Sequence, residues 1–460
     1  MTPLLCRNDF WCGLRAQLSV ALVLLLGVLA TLSDATRAWS QTPYGVPVEP
    51  PTLPMQTGLQ STPSVITVQR GSAGGESVRF VPVITVAERY DSNVLFLPNK
   101  VHDFVTNISP GTLMEYRGEW VEGTFLGGLT SELYVRNPGL NYVGTNESLY
   151  LNLDNLAGRL IRGWTFRLTD AFVYTPQMPA FAAPQEGNQV ATEFVRGIQA
   201  YRNNALSNSV TAQTGYAVSS RISVNGTYSY SFLRFLNDST AQGSVGLLNT
   251  TAQSLTLGPQ YQLSPTDTVG VSYQYQNIAF SSGAQGSGPV IAPSLTSANI
   301  HSASASWQSN FMPGVILNLS PGVSEVEGIG GVQWTARALL QWNIQSMLMR
   351  LQFTRGLYPS FVIDSGVLVS EMVGVSVLYN VTDKWSINGD GNYSNSRSIG
   401  NTSSQGALSF SGKGFGVGAT YRLSSTMFVT GSFTHSDFEY GPALVVARDV
   451  VSLQFRKEWR

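Results

Sequence analysis

Residues Thr268 to Gln276 read Thr-Val-Gly-Val-Ser-Tyr-Gln-Tyr-Gln, so that Val269, Val271, Tyr273 and Tyr275 share one face of an extended chain while Thr268, Gly270, Ser272, Gln274 and Gln276 share the other. The same two-residue rhythm returns from about residue 78 to the C-terminus, in segments of roughly 9 to 14 residues cut by turn-forming clusters. A strand of this kind needs a dry neighbour and a wet one. Repeated over nearly the whole chain, it leaves one arrangement that satisfies every backbone group in lipid: a closed barrel with water inside.

Composition narrows the alternatives. Charged residues make up only 12% of the 460 positions, about half the share usual in soluble proteins. The mean hydropathy of +0.03 is nevertheless far too low for a bundle of membrane helices. The 45 glycines and 19 tyrosines, with abundant Ser, Thr, Asn and Gln, suit strands that are polar inward and apolar outward, with aromatic girdles.

Residues 1–40 form a targeting segment. Arg7 and Arg15 give a basic start, Leu18 to Leu32 an apolar core, and Ala38-Trp39-Ser40 a small-x-small site, which puts cleavage between Ser40 and Gln41. An uncleaved anchor is the alternative, disfavoured by the shortness of that core. Both cysteines, Cys6 and Cys12, lie inside the segment, so the mature chain is expected to carry no disulfide, thiol nucleophile or cysteine metal site. Removing Arg7, Arg15 and Arg37 from 27 basic residues and Asp9 and Asp34 from 28 acidic ones leaves 24 and 26, a formal charge of −2. Such a balance gives no electrostatic reason for a nucleic-acid partner. Residues 41–76 hold Pro43, Pro47, Pro50, Pro51, Pro54 and Pro63, then Gly71, Gly74 and Gly75, and read as an extended periplasmic linker or a short partner-binding arm.

From residue 77 to 460 short turns and longer loops alternate. Short connections fall near Arg117-Gly118, Arg162-Gly163, Ser219-Ser220, Ser264 to Asp267, Met312-Pro313-Gly314, Gln345-Ser346, Thr382 to Lys384 and Ser424-Ser425. Longer ones fall near 91–102, 137–146, 176–197, 236–248, 282–296, 325–330, 357–366, 396–406 and 437–447. These connections predict an all-β, single transmembrane antiparallel barrel of about eighteen strands, or sixteen if one weak hairpin does not form, with both termini in the periplasm. Individual strands agree. Ile222, Val224, Gly226, Tyr228, Tyr230 and Phe232 alternate with Arg221, Ser223, Asn225, Thr227, Ser229 and Ser231, and Trp334 to Ile344 behave alike with Leu339 alone breaking the wet face. A soluble sandwich has one wet face too, but has no need of aromatic bands at strand ends. In the last strand Val451, Leu453, Phe455 and Trp459 share a face, as in strands recognised by the barrel-assembly machinery, although Trp459 is penultimate and Lys457 interrupts the row.

The run Tyr90-Asp91-Ser92-Asn93-Val94-Leu95-Phe96-Leu97-Pro98-Asn99, followed by Asp103-Phe104 and Ser109-Pro110-Gly111, resembles the opening hairpin of a broad family of bacterial outer-membrane β-barrel proteins. Some members of that family are porin-like, and others accompany exopolysaccharide-export gene clusters. The resemblance covers about twenty residues and implies a fold and the outer membrane of a Gram-negative cell, with its lipids and lipopolysaccharide, rather than a solute. Taken alone, Asp91, Ser92 and Asn93 are turn formers and Pro98 stops a strand.

Chemistry has little purchase here. The three histidines, His102, His301 and His435, have no metal-ligand spacing, and Ser302 and Ser436 stand beside two of them as expected by chance in a serine-rich chain. No enzymatic activity and no cofactor are expected. Parity places Glu132, Arg167, Arg221, Arg337, Arg350, Asp390, Arg422 and Arg456 on the wet face, as pore-lining residues. Arg337 and Arg350 are set on neighbouring strands, either as a patch favouring anions or sugar hydroxyls or as struts paired with carboxylates. The longest loop carries Phe181, Glu186, Glu193 and Arg196, and by analogy with general porins it is the candidate constriction, or else a cover over the mouth. Gly412, Gly414, Gly416 and Gly418 are expected to ease curvature or close contact. The expected function is passive diffusion of small hydrophilic solutes. A barrel accessory to exopolysaccharide export, working with export components, and an occluded structural or adhesive barrel remain as alternatives; the oligomeric state stays open.

Overall fold

The computed structural model describes residues 77–95, 98–177, 203–236, 248–282, 296–329, 331–359, 367–399, 409–440 and 444–459. The segments 1–40 and 41–76, with the cleavage site at Ser40 and Gln41, and the loop residues Phe181, Glu186, Glu193 and Arg196 lie outside the described residues.

Alternating sequence becomes alternating wall. The strands are β1 (Ser77–Asp91), β2 (Asp103–Arg117), β3 (Glu122–Tyr134), β4 (Tyr142–Asn152), β5 (Trp164–Gln177), β6 (Asn203–Ala217), β7 (Ile222–Phe235), β8 (Leu248–Gln262) and β9 (Asp267–Ser282). They continue as β10 (Ser297–Met312), β11 (Val315–Val326), β12 (Gln333–Ile344), β13 (Met347–Pro359), β14 (Val367–Asn380), β15 (Trp385–Ile399), β16 (Ser409–Ser424), β17 (Met427–Tyr440) and β18 (Leu444–Glu458). Each pairs antiparallel with its sequence neighbours, and β18 returns to β1 with Glu458 opposite Val83 and Val450 opposite Asp91. The sheet has no edge, so no row of backbone groups is left to lipid.

The eight short connections fall where the sequence places them, with one addition: between β4 and β5 a seven-residue helix, α1 (Asp154–Leu160), occupies what reads as a bare turn. Asp154 holds it to the wall by accepting from the Phe166 amide at 2.9 Å and from Arg167 Nη2 at 2.7 Å. The last loop is shorter than expected, since β17 runs to Tyr440 and β18 resumes at Leu444.

The outer face is apolar and exposed. Tyr216, Tyr261, Trp342, Tyr379, Trp385 and Trp459 stand on it toward the short-turn end, and Tyr90, Phe104, Trp334, Tyr393 and Phe415 toward the loop end, with Leu257, Val271, Leu351, Val375 and Leu453 between. An exposed apolar surface of this extent, banded by aromatics, belongs to a protein seated in a bilayer.

Candidate functional site

Among the described residues the inner face of the wall gathers polar side chains in quantity, and the strand register orders them. A hydrogen-bonded row followed around the wall runs Ser77, Arg117, Glu122, Asn152, Arg167, Gln213, Thr227, Thr256, Gln274, Ser302, Ser324, Gln333. Strand tilt makes the row a ramp: it starts at the short-turn end of β1 and finishes at the loop end of β12. Every member is polar and faces inward.

Most inward charges neutralise one another. Arg89 grips Glu132 with both Nη atoms, at 3.2 and 3.0 Å, and the Tyr134 hydroxyl donates to the same carboxylate at 2.7 Å. Asp91, fully buried, accepts from Arg448 Nε on β18 at 3.0 Å. Arg79 pairs with Glu115 at 3.3 Å, Arg167 with Asp154, and Arg456 with Glu458 at 2.9 Å. These are structural ties within a strand, between strands and from the wall to α1, in which desolvation is offset only because both partners stay hydrogen bonded.

The same ties explain the motif at Asp91 to Asn93. Asp91 accepts from the Asn93 amide, Asn93 Nδ2 donates to the Ala447 carbonyl at 3.2 Å, and Ser92 and Asp449 exchange two bonds at 2.9 and 2.8 Å. Asp103 in turn accepts from the amides of Phe104, Arg136 and Asn137 and from Asn137 Nδ2, tying the loop after β3 to the start of β2. The turn formers therefore sit at the seam where the first strand meets the last.

Two features of the lumen escape sequence parity. At the loop end of β6 to β11 the inward positions turn apolar: Leu233, Phe235, Leu248, Ile278, Phe280 and Ile300 are all buried and belong to one cluster. The available signal was Leu233 and Phe235 standing in the wet parity of their strand. The second feature is the stripe Gly412, Gly414, Gly416 and Gly418, whose register partners on β15 are Ser394, Asn392, Asp390 and Asn388. A Cβ on Gly418 would stand 2.7 Å from Asn388 Oδ1, so here the missing side chain makes room for the neighbouring carboxamide.

Register sets Glu132, Arg167, Arg337, Arg350, Asp390 and Arg456 on the inner face, but not as one group. Glu132, Arg167 and Arg456 are held in the pairs above. Arg221 lies in the turn before β7, at the rim instead of on the wall, and Arg422, beside a bulge, donates to the Asp383 carbonyl at the same end. Arg337 and Arg350 have no carboxylate partner among the described residues; Arg350 Nε donates to Gln341 Oε1 at 3.1 Å.

The histidines do not join the serines beside them. His301 faces outward, where its Nδ1 lies 2.7 Å from the Tyr273 hydroxyl, while Ser302 faces the lumen. His435 is likewise outward, between Asp437 and Asp449, with Ser436 on the opposite face.

No protein-family model and no curated protein matches the sequence. Among solved structures the chain is similar to the outer-membrane protein OpdK of Pseudomonas aeruginosa, at 10% identity and a TM-score of 0.41 over 83% of this chain and 99% of that one. OccK3 (OpdO) of the same organism gives 9%, 0.42, 83% and 96%. A mutant of its ferric enterobactin receptor PfeA gives 10%, 0.41, 83% and 81%. Likeness at this level carries over none of those proteins' ligands, and the functional reading rests on the barrel's own geometry.

Proposed function

We propose that this chain is an outer-membrane channel through which small hydrophilic solutes diffuse passively. The carrying observation is the polar ramp from Ser77 to Gln333, an unbroken series of inward hydroxyl, carboxamide and charged groups from one rim to the other. Long loops face the outside and short turns the periplasm, the usual asymmetry of bacterial barrels. With most inward charges paired, the wall suits neutral or weakly charged solutes, selected by bore and by a few groups instead of by chemistry on the solute. Delivery to the membrane is by the assembly machinery, through the β18 face that carries Val451, Leu453, Phe455 and Trp459.

One observation favours an alternative. The buried apolar collar at the loop end of β6 to β11 is what an occluded surface barrel would show at its mouth. Planar-bilayer recording of the purified, folded protein separates the two: stepwise conductance is expected, and absence of openings at every voltage sinks the channel reading. The accessory role in polysaccharide export rests on the sequence resemblance alone, and loss of exported polymer on deletion of the gene would be its test.

A further inference from the structure

Between the two rims the lumen carries two cations that no described carboxylate neutralises. Arg337 on β12 is exposed to the lumen and bonds to no described group, and Arg350 on β13 meets only the Gln341 carboxamide. Two residues beside them on β13 carry buried polar atoms without a partner, as several other wall positions do. Thr354 stands opposite Arg337 in the register, is 7% exposed and faces inward, yet its Oγ1 has no hydrogen-bond partner. Gln352, one inward position further along β13, has a buried Nε2 without a partner, and its neighbour across the β13–β14 ladder is Gly374, which leaves the wall recessed beside it. Ser376 and then Asp390 continue the row of Arg350 across β14 and β15. Buried polar atoms left unpaired are costly unless something satisfies them. The lone guanidinium groups call for negative charge, and the unpartnered hydroxyl and amide for hydroxyl or carboxylate oxygens.

Resting on the channel reading above, we propose that Arg337, Arg350, Gln352 and Thr354 form a solute-binding step at mid-wall. It takes small organic anions that carry hydroxyl groups, and it gives the lumen an anion preference that its paired charges do not. The fixed charge of the two arginines attracts the anion; the carboxamide and hydroxyl hold it long enough to register as block.

The test uses the full mature chain in planar bilayers under a potassium chloride gradient, then with sodium gluconate or sorbitol added on one side. Wild type is expected to pass chloride at least twofold better than potassium, and gluconate but not sorbitol should reduce the open-channel current. R337Q/R350Q should bring the permeability ratio close to one and abolish the gluconate block, and T354V should weaken the block while leaving the ratio unchanged. Because Arg337 bonds to no described group, R337Q alone is expected to keep the fold should the double variant not assemble, and to lower the ratio by itself. An unaltered ratio and block in an R337Q channel of normal conductance would overturn the binding step and leave the channel standing. Absence of any conductance overturns the channel and this step with it.

Discussion

At the scale of single residues, the seam is where removal of one atom group costs most. Asp91 is fully buried against Arg448, and Arg448→Ala leaves a carboxylate with no cation other than Arg89, whose Nε approaches it at 3.9 Å. Breaking a buried pair on one side typically costs about 3–5 kcal/mol. R448A should therefore lower the temperature at which the folded band disappears on a semi-native gel, and D91N/R448M should recover much of the loss. An R448A band as heat-resistant as wild type would show the pair to be idle. Gly258 and Gly389 give a second contrast. A Cβ on Gly258 would lie 2.1 Å from the Val271 carbonyl oxygen and 2.8 Å from Ser272 Cα, with backbone on both counts, whereas on Gly389 it meets only the Gly416 oxygen at 3.8 Å. G258A is expected to destabilise by about 1–3 kcal/mol, as overpacking does, and G389A to be near neutral. Urea unfolding in lipid vesicles reads both.

At the scale of the strand, most of the wall is legible in the sequence because a strand in this environment must alternate. The aromatics of β7, β12 and β18 mark where it leaves the hydrocarbon. Where alternation says nothing, structure was needed. The helix α1 is one short run, Asp-Asn-Leu-Ala-Gly-Arg-Leu, too brief to show a helical period. The apolar collar lies in wet parity, and parity alone does not tell where a strand rises out of the membrane into a covered mouth. Asp91 and Arg448 are 357 positions apart, so nothing local joins them. For the candidate lumen residues parity gives a face along a strand, but it does not tell that Arg221 falls in a turn at the rim, nor which arginines are paired. The outer face breaks the pattern in more than one place, and β4 and β5 hold one of them. Asp170 lies between Leu168 and Phe172 on the outside of β5, bonded to Asn208 Nδ2 at 2.7 Å, and Glu147 lies on the outside of β4 next to it, exposed. Carboxylates on a lipid face cost free energy, less than arginine or lysine does. E147L/D170L should raise the unfolding free energy in vesicles by roughly 1–2 kcal/mol. A loss of stability instead would mean that this face is covered by protein in the membrane.

At the scale of the whole molecule, closure is a property of the complete chain. β1 has β2 as one neighbour and only β18 as the other, and β18 likewise has β17 and β1. A chain ending at residue 443 would expose the edges of β1 and β17 at once, so it is expected to give no heat-modifiable band and no membrane-protected fragment on proteolysis. A folded band from that truncation would show that seventeen strands close by themselves. The loop-end rim divides the labour between two arcs: ion pairs hold the seam at β18, β1 and β3, while apolar packing holds the mouth from β6 to β11.

The ramp from Ser77 to Gln333 bears on how such a passage is narrowed. Neighbours across the ladder stand at different depths, and groups at one depth come from different ladders. A single bulky side chain on the inner face thus makes a local shelf, never a ring, and a solute can pass it on the far side. Throughput should fall in small steps as such residues are added, and a sharp size cut-off would require several strands to contribute at one level.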